Sequence, residues 1–260
     1  MSPRLYTDYA AWWPLFADPT YYAAEAASIA AILRQELGHP ARAILELGCG
    51  GGTLASFLKA SAKLTLVDPE PRMLAVSRTL NPGCEHVVGD MRTVQLGRRF
   101  DAVVLHDAVN YMTTAEDLTR ALETARAHLL PEGAVVVLPD DTEETFEPST
   151  STGGRDDEDG RGLRYLLWTK EPQGSTYAVD FAILLRDGDG KTDLLHERHM
   201  FGLFSFDIWK DAFRHAAFFA PCIYPDGRRQ AVFCARPCPQ AFGSEEPKAA
   251  HRICGLNALD

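Results

Sequence analysis

The 260-residue chain is 46% hydrophobic and 24% charged, a balance that excludes a largely disordered polymer; a chain of this length buries roughly 70–75% of its unfolded surface with no disulfide or metal staple. Its 36 acids against 26 bases give a net charge of −10, so no basic footprint exists for nucleic acid, and a cationic or amine substrate suits the field better than a polyanion. No run approaches the roughly 18–20 apolar residues of a bilayer span, residues 1–9 lack a signal-peptide pattern, and the six cysteines show neither C-x-x-C nor zinc spacing; the expectation is a cytoplasmic protein with reduced thiols and no membrane partner.

In chain order, Asp18-Pro19 reads as an N-cap and first helical residue, followed by an Ala-rich helix from Tyr21 to Leu37 that stops at Gly38. A short apolar strand, Ala43 to Leu47, runs into Gly48-Cys-Gly-Gly-Gly52 and a helix over Leu54 to Ala60. A second strand, Leu64 to Val67, ends at Asp68; Pro71 opens a helix through Leu80; a third strand, His86 to Val88, ends at Gly89-Asp90. Phe100 to Leu105 is a buried fourth strand. Thr113 with Glu116 reads as a capping box for a helix to about Leu130. Pro131-Glu-Gly133 reads as a turn and Ala134 to Leu138 as a fifth strand. Strands alternating with helices imply right-handed crossovers and a parallel sheet.

Beyond Leu138 the pattern changes. Asp140 to Gly162 is acidic and reads as an irregular, mobile loop. Three strand-like runs follow, Leu163 to Thr169, Tyr177 to Arg186 and Asp193 to Leu203, the last two joined by the hairpin turn Asp187-Gly-Asp-Gly190. Phe206 to Phe218 returns to helical spacing, Arg229 to Ala235 supplies a last strand, and the chain from about Pro239 has little periodicity.

The glycine loop carries the chemistry. Glycines allow a tight turn and close approach of a ligand, and the following helix offers free N–H groups, so a pyrophosphate or a carboxylate fits equally. The dinucleotide pattern G-x-G-x-x-G needs glycine at position 53, where Thr53 stands. Glu46, two residues ahead of the first glycine, is near where a bound zwitterion's ammonium can be reached. Asp68, twenty residues after Gly48, is placed to accept from both hydroxyls of a ribose, and Asp90 from the exocyclic amine of an adenine, with Met73 and Met91 as soft apolar surface for the ring. All fall at strand carboxyl ends, where ligands of such sheets bind.

This constellation resembles the class I S-adenosylmethionine-dependent methyltransferases over roughly residues 40 to 140. Glu46-Leu-Gly-Cys-Gly-Gly-Gly-Thr53 is similar to their first motif, Val67-Asp68 to their second-strand acid, Gly89-Asp90-Met91 to their third, and Leu130-Pro-Glu-Gly-Ala134 to the turn before their fifth strand. The resemblance implies an α/β, Rossmann-like fold: a mostly parallel sheet with helices on both faces, an antiparallel β insertion and an N-terminal helical lid. It implies S-adenosyl-L-methionine as cofactor and S-adenosyl-L-homocysteine as product. The methionine part is expected over Gly48 to Gly52, beside Glu46, Tyr22 and the backbone of His106; the ribose on Asp68; the adenine near Met73, Asp90 and Met91. The implied organisation is 1–38 lid, 39–140 cofactor-binding core, 141–204 acidic loop and substrate-side insertion, 205–238 helix and strand completing the core, and 239–260 a flexible tail.

Leu96-Gly-Arg-Arg-Phe100 and His199-Met-Phe-Gly-Leu-Phe-Ser205 resemble the small-molecule N-methyltransferases, sugar-amine enzymes first and glycine enzymes more distantly. Tyr9, Trp12, Trp13 and Tyr22 are then expected from the lid. Two positions depart from the sugar-amine pattern: Tyr111 stands where a histidine is expected, and Asp140-Asp141 where an aromatic pair is expected. Tyr111 and His199 are the candidates for orienting the acceptor or relaying its proton. His196 and His199, three apart on a strand, point to opposite faces, so no metal site is expected. The expected partner is a small acceptor bearing an amine, met by a monomer or homodimer. O-methylation and a non-catalytic cofactor-binding module remain open at this point.

Overall fold

The computed structural model describes residues 2–17, 19–225 and 231–239. In chain order the elements are α1 (Trp13–Phe16), α2 (Pro19–Leu37), β1 (Ala43–Leu47), α3 (Thr53–Leu58), β2 (Lys63–Asp68), α4 (Pro71–Leu80), β3 (Glu85–Val88), β4 (Phe100–His106), α5 (Ala115–Ala127) and β5 (Leu129–Leu138). Then follow β6 (Ser149–Gly153), β7 (Gly162–Thr169), β8 (Thr176–Arg186), β9 (Thr192–Gly202), α6 (Phe206–His215), β10 (Cys222–Pro225) and β11 (Ala231–Ala235). The main sheet has the order β10-β11-β5-β4-β1-β2-β3. Strands β1 to β5 are parallel, and β11 enters antiparallel between β5 and β10.

Alternate residues of the central strands feed two cores. Leu45, Leu47, Val103, Leu105, Val135 and Val137 meet Leu118, Leu122, Trp209 and Phe213 of α5 and α6. Ile44, Leu64, Leu66, Val104 and Val136 meet Ile29, Leu33, Leu54 and Leu58 of α2 and α3. Burial on both faces explains why these strands read as continuous apolar runs. The second sheet, β6-β7-β8-β9, is antiparallel. Its inner face, including Leu163, Val179, Phe181, Ile183 and Leu195, packs on Leu5 and Leu15 of the N-terminal segment. Leu166, Trp168, Leu184 and Leu194 stand exposed on the same strands. Among the described residues, no helix is long and apolar enough to cross a membrane.

Several sequence expectations need correction. The cap of α5 is Thr114, whose hydroxyl accepts from Asp117 N at 3.1 Å, one residue later than Thr113 and Glu116. That helix ends at Ala127 because His128 turns back, its Nδ1 2.7 Å from Thr124 O while Leu96 N donates to its Nε2 at 3.0 Å. Pro131-Glu-Gly133 is a bulge inside β5, with Phe100 paired to Leu129 and Ala102 to Ala134. The acidic stretch after Asp140 is not wholly irregular: Ser149–Gly153 forms edge strand β6 on β7. Its Ser-Thr-Ser-Thr-Gly sequence is polar on both faces and gives no period-2 signal. Strand β10 was also not expected. Helix α6 stops at His215, where Ala216 caps it. Cys49, Cys84, Cys234 and Cys238 are free thiols, whereas Cys222 is disulfide-bonded. The Asp18 cap, the start of the last strand at Arg229 and the tail from 240 on lie outside the described residues.

Candidate active site

The strand order reverses between β1 and β4, so a crevice opens at their carboxyl ends. Gly48 leaves β1 with φ +82°, and a Cβ there would sit 2.5 Å from Ala108 Cβ and 2.8 Å from Met91 Cε. The backbone therefore passes where no side chain fits. Gly48 N and Cys49 N both donate to Val67 O, at 2.8 and 3.0 Å. Asp68 holds the bend from the neighbouring strand, accepting from Gly50 N at 2.8 Å and from Glu70 N at 2.9 Å. Burial raises its pKa, and these backbone donors oppose the rise. Asp90 is gripped by Arg92, whose Nε and Nη2 donate to its two oxygens at 3.0 and 2.6 Å, while Arg92 Nη1 reaches Asp117 at 3.1 Å.

Strand β4 ends at His106, whose Nε2 lies 3.0 Å from Glu25 Oε2 and whose ring lies 5.6 Å from that of Tyr22. The next residue, Asp107, has φ +46°, a conformation that strains a residue carrying a Cβ. Its carboxyl is hydrogen-bonded to that of Asp140. Asn110 holds the two loops together: Asp140 N donates to its Oδ1 at 2.8 Å, and its Nδ2 donates to Gly202 O at 3.4 Å.

Tyr22, Glu46, Gly48, Gly50, Asp68, Met73, Asp90, Met91, His106 and Tyr111 all line one cavity of about 470 Å³, together with Tyr6, Trp13, Asp107 and Asp140. His199 does not reach its wall. It is 2% exposed, stacked on Phe181 with centroids 4.2 Å apart, and lies behind the cavity-lining Tyr111, to which its Nδ1 is hydrogen-bonded. His196 is exposed on the opposite face of β9. Tyr9 and Trp12 also lie outside the cavity wall: Tyr9 donates to Asp193 at 2.7 Å, and the Arg161 guanidinium stacks on Trp12.

A family model described as a methyltransferase domain matches residues 44–133. The chain is 30% identical over 197 residues to the dTDP-3-amino-3,6-dideoxy-alpha-D-glucopyranose N,N-dimethyltransferase of Streptomyces fradiae, covering 75% of this chain and 76% of that one. It belongs to the class I S-adenosylmethionine-dependent methyltransferases, of the sugar-amine type. Among solved structures, Streptomyces venezuelae DesVI superposes with a TM-score of 0.76 at 27% identity, covering 84% of this chain and 92% of that one. CalS10 of Micromonospora echinaspora, an amino pentose methyltransferase solved with S-adenosylmethionine bound, gives 0.72 at 26%, covering 83% and 91%.

The methyltransferase's residues fit that cofactor. Two buried polar atoms in the cavity lining have no protein partner: the acceptor Glu46 Oε2 and the donor Trp13 Nε1. An amino-acid end with one ammonium and one carboxylate satisfies both, and an unpaired buried polar group is costly enough to need such a partner. Burial, reinforced by the neighbouring Asp68, drives Glu46 up to about 8, against the pull of His106. On the other side of β4 the methyltransferase carries an acidic wall. Burial and then Glu25 push Asp107 up to about 7; burial and then Asp107 push Asp140 well above the carboxylate range; burial and then Asp140 push Asp141 up to about 7.

Sequence reasoning missed Tyr6, Glu25, Arg92 and Glu197. Glu25 follows Tyr22 by one helical turn and Glu197 precedes His199 by two strand positions, so both share a face with a residue already singled out. Arg92 follows Asp90 by two. Tyr6 carried no signal, because the segment before α1 has no regular period.

Proposed function

We propose that this methyltransferase moves a methyl group from S-adenosylmethionine to an amine nitrogen of a small molecule. The observation that carries the proposal is the acidic wall of Asp107, Asp140 and Glu25 beside the glycine loop: Asp107 and Asp140 line the cavity itself, and Glu25 borders the recess adjoining it. The hydrogen-bonded Asp107–Asp140 pair keeps one negative charge when it holds a single proton, and that charge attracts an ammonium and repels the carboxylate or phenolate that O-methylation would bring. The amine acceptors named for the relatives support the same reading. When bound, the cofactor supplies a sulfonium methyl that is already activated. The protein's work is to align the acceptor nitrogen roughly 3 Å from that methyl carbon, opposite sulfur, and to deliver it without its proton.

In this reading Glu46 and Tyr22 meet the amino-acid end, Gly48 and Gly50 give it room, and the His106 backbone borders it. Asp68 clasps the ribose. Met73 and Met91 flank the adenine, whose amine meets the oxygen lone pairs that Arg92 leaves free on Asp90. Tyr111 faces the acceptor, with His199 behind it. Residues 1–38 form the lid, 39–140 the core, 141–204 the acceptor side and 205–238 the completion of the sheet. A monomer or homodimer without nucleic-acid partners suits the charge, and the free thiols of Cys49, Cys84, Cys234 and Cys238 favour the cytoplasm while the disulfide at Cys222 does not.

Incubation with methyl-labelled cofactor and a panel of amines, alcohols and carboxylic acids, amino-sugar nucleotides included, tests the proposal. Mass spectrometry is expected to place the label on nitrogen; label on oxygen, or binding without turnover across the panel, overturns it. Asp68→Ala is expected to weaken S-adenosylhomocysteine binding by about 1–3 kcal/mol in calorimetry, since the ribose hydroxyls lose their acceptor.

A further inference from the structure

Four side chains from three distant parts of the chain form one unbroken hydrogen-bonded line from the cavity into the second sheet. Tyr6 Oη lies 2.7 Å from Tyr111 Oη, Tyr111 Oη lies 2.6 Å from His199 Nδ1, and His199 Nε2 lies 2.7 Å from Glu197 Oε1. Tyr6 and Tyr111 line the cavity, whereas His199 is buried against Phe181, Phe201 and Tyr6. Glu197 has a second task. Its Oε2 accepts from Arg4 N at 2.9 Å and its Oε1 from Leu5 N at 3.1 Å, which fixes the backbone just ahead of Tyr6.

We propose that Tyr6 and Glu197 complete a proton relay that takes up the acceptor's proton, and that docking of the N-terminal segment on Glu197 is the step that assembles it. The proposal rests on the amine reading above. An ammonium has no lone pair for the sulfonium methyl, so one N–H bond must break before the N–C bond forms. Tyr6 Oη accepts that proton and passes its own to Tyr111; Tyr111 passes its own to His199 Nδ1, where a new N–H bond forms. The imidazolium's charge is met by the Glu197 carboxylate, which also directs the Nε2 proton to itself and leaves Nδ1 free to accept. Burial holds both phenols well above their usual range, so they serve as neutral hydroxyls and not as phenolates. Glu197 stays ionised: burial pushes its carboxyl up, but the hydrogen bond and charge of His199 and the Leu5 and Arg4 amides together outweigh that and hold it below the usual carboxylate range. His199 and Glu197 are positioning residues that act through Tyr111. Tyr6 arrives on the N-terminal segment, which meets β9 through Arg4 and Leu5 at Glu197 and through Tyr9 at Asp193, so docking of that segment adds a second cavity-lining hydroxyl to the line beyond Tyr111.

Tyr6→Phe and Glu197→Gln test this with two acceptors: the panel amine that the wild type turns over fastest, and its analogue carrying three β-fluorines, whose nitrogen is largely unprotonated at pH 7. With the basic amine, both variants are expected to lose about 10- to 100-fold in kcat with little change in KM. With the fluorinated amine the loss is expected to shrink to threefold or less, since no proton needs removing. A structural defect would slow both acceptors alike, and equal losses or no loss overturn the relay. Independently of turnover, the Arg4 and Leu5 amides are expected to exchange hydrogen at least tenfold faster in Glu197→Gln; unchanged exchange overturns the docking step. A wild type inactive on every amine overturns the amine reading and the relay together. An active wild type with unaffected variants overturns the relay alone.

Discussion

Glu46→Gln is expected to stabilise the ligand-free protein while weakening its grip on the cofactor. Glu46 is 2% exposed, and its folded-state pKa is about 8 against an ordinary 4.5. A raised acid favours the folded state fully below 4.5 and loses that contribution as pH climbs to about 8, because the unfolded chain releases its proton first. The loss is on the order of 4–5 kcal/mol across that window. Glutamine does not titrate, so the variant avoids the loss and gives back about 1–3 kcal/mol for an amide left without partners. A net gain of roughly 2 kcal/mol at pH 8 corresponds to a midpoint about 4–8 °C higher. Binding moves the other way. A cationic ligand prefers the carboxylate, so wild-type affinity rises with pH towards 8 and complex formation near pH 7 expels close to one proton. Calorimetry of S-adenosylhomocysteine in two buffers of different ionisation enthalpy measures that proton. The variant is expected to release none and to bind about 10- to 100-fold more weakly at pH 9. Equal affinity in the two proteins would remove Glu46 from the ammonium.

Gly48→Ala is expected to be strongly destabilising. Its φ of +82° costs any residue with a Cβ about 1–2 kcal/mol. The added carbon also meets Ala108 Cβ at 2.5 Å, an atom fixed to its own backbone and unable to swing away. Together these take 3 kcal/mol or more from stability, read as a shift in the urea midpoint. Displacement of the loop is also expected to weaken S-adenosylhomocysteine binding, which calorimetry reads. Gly50→Ala is the control. Its φ of +52° carries a similar backbone cost, but its Cβ meets only Met73 Cε at an ordinary 3.6 Å. About 1 kcal/mol is expected there. Comparable losses in the two variants would show that the contact with Ala108 is unimportant.

The cofactor half of the fold was legible in the sequence because its determinants are local. Ala43–Leu47 is an apolar run, Gly48 to Gly52 punctuates it, and Asp68 and Asp90 each close the next strand, so position along the chain stands for position in the crevice. The acceptor half was not legible to the same depth. Tyr6, Tyr111, His199 and Glu197 meet only because the second sheet folds back over the N-terminal segment, and no local pattern encodes a contact between positions 6 and 111. Edge strand β6 escaped notice for a related reason: its side chains bury nothing, and pairing with β7 alone holds it. The bulge in β5 reads locally as a turn, because Pro131 and Gly133 are the residues of either structure. The acids after β4 and β5 can be read from the sequence as a cation-holding group, but the hydrogen bond between Asp107 and Asp140 follows only from their proximity in the fold.

Asp68 joins two duties that a sequence motif treats as one. Under the proposed function, the oxygens offered to a sugar are the same two that tether the Gly50 and Glu70 amides. Loop shape and nucleoside preference are thus thermodynamically linked. Selection for a different nucleoside at this carboxylate would also reset the conformation of the bend, and changes at Asp68 and Gly50 should be strongly non-additive.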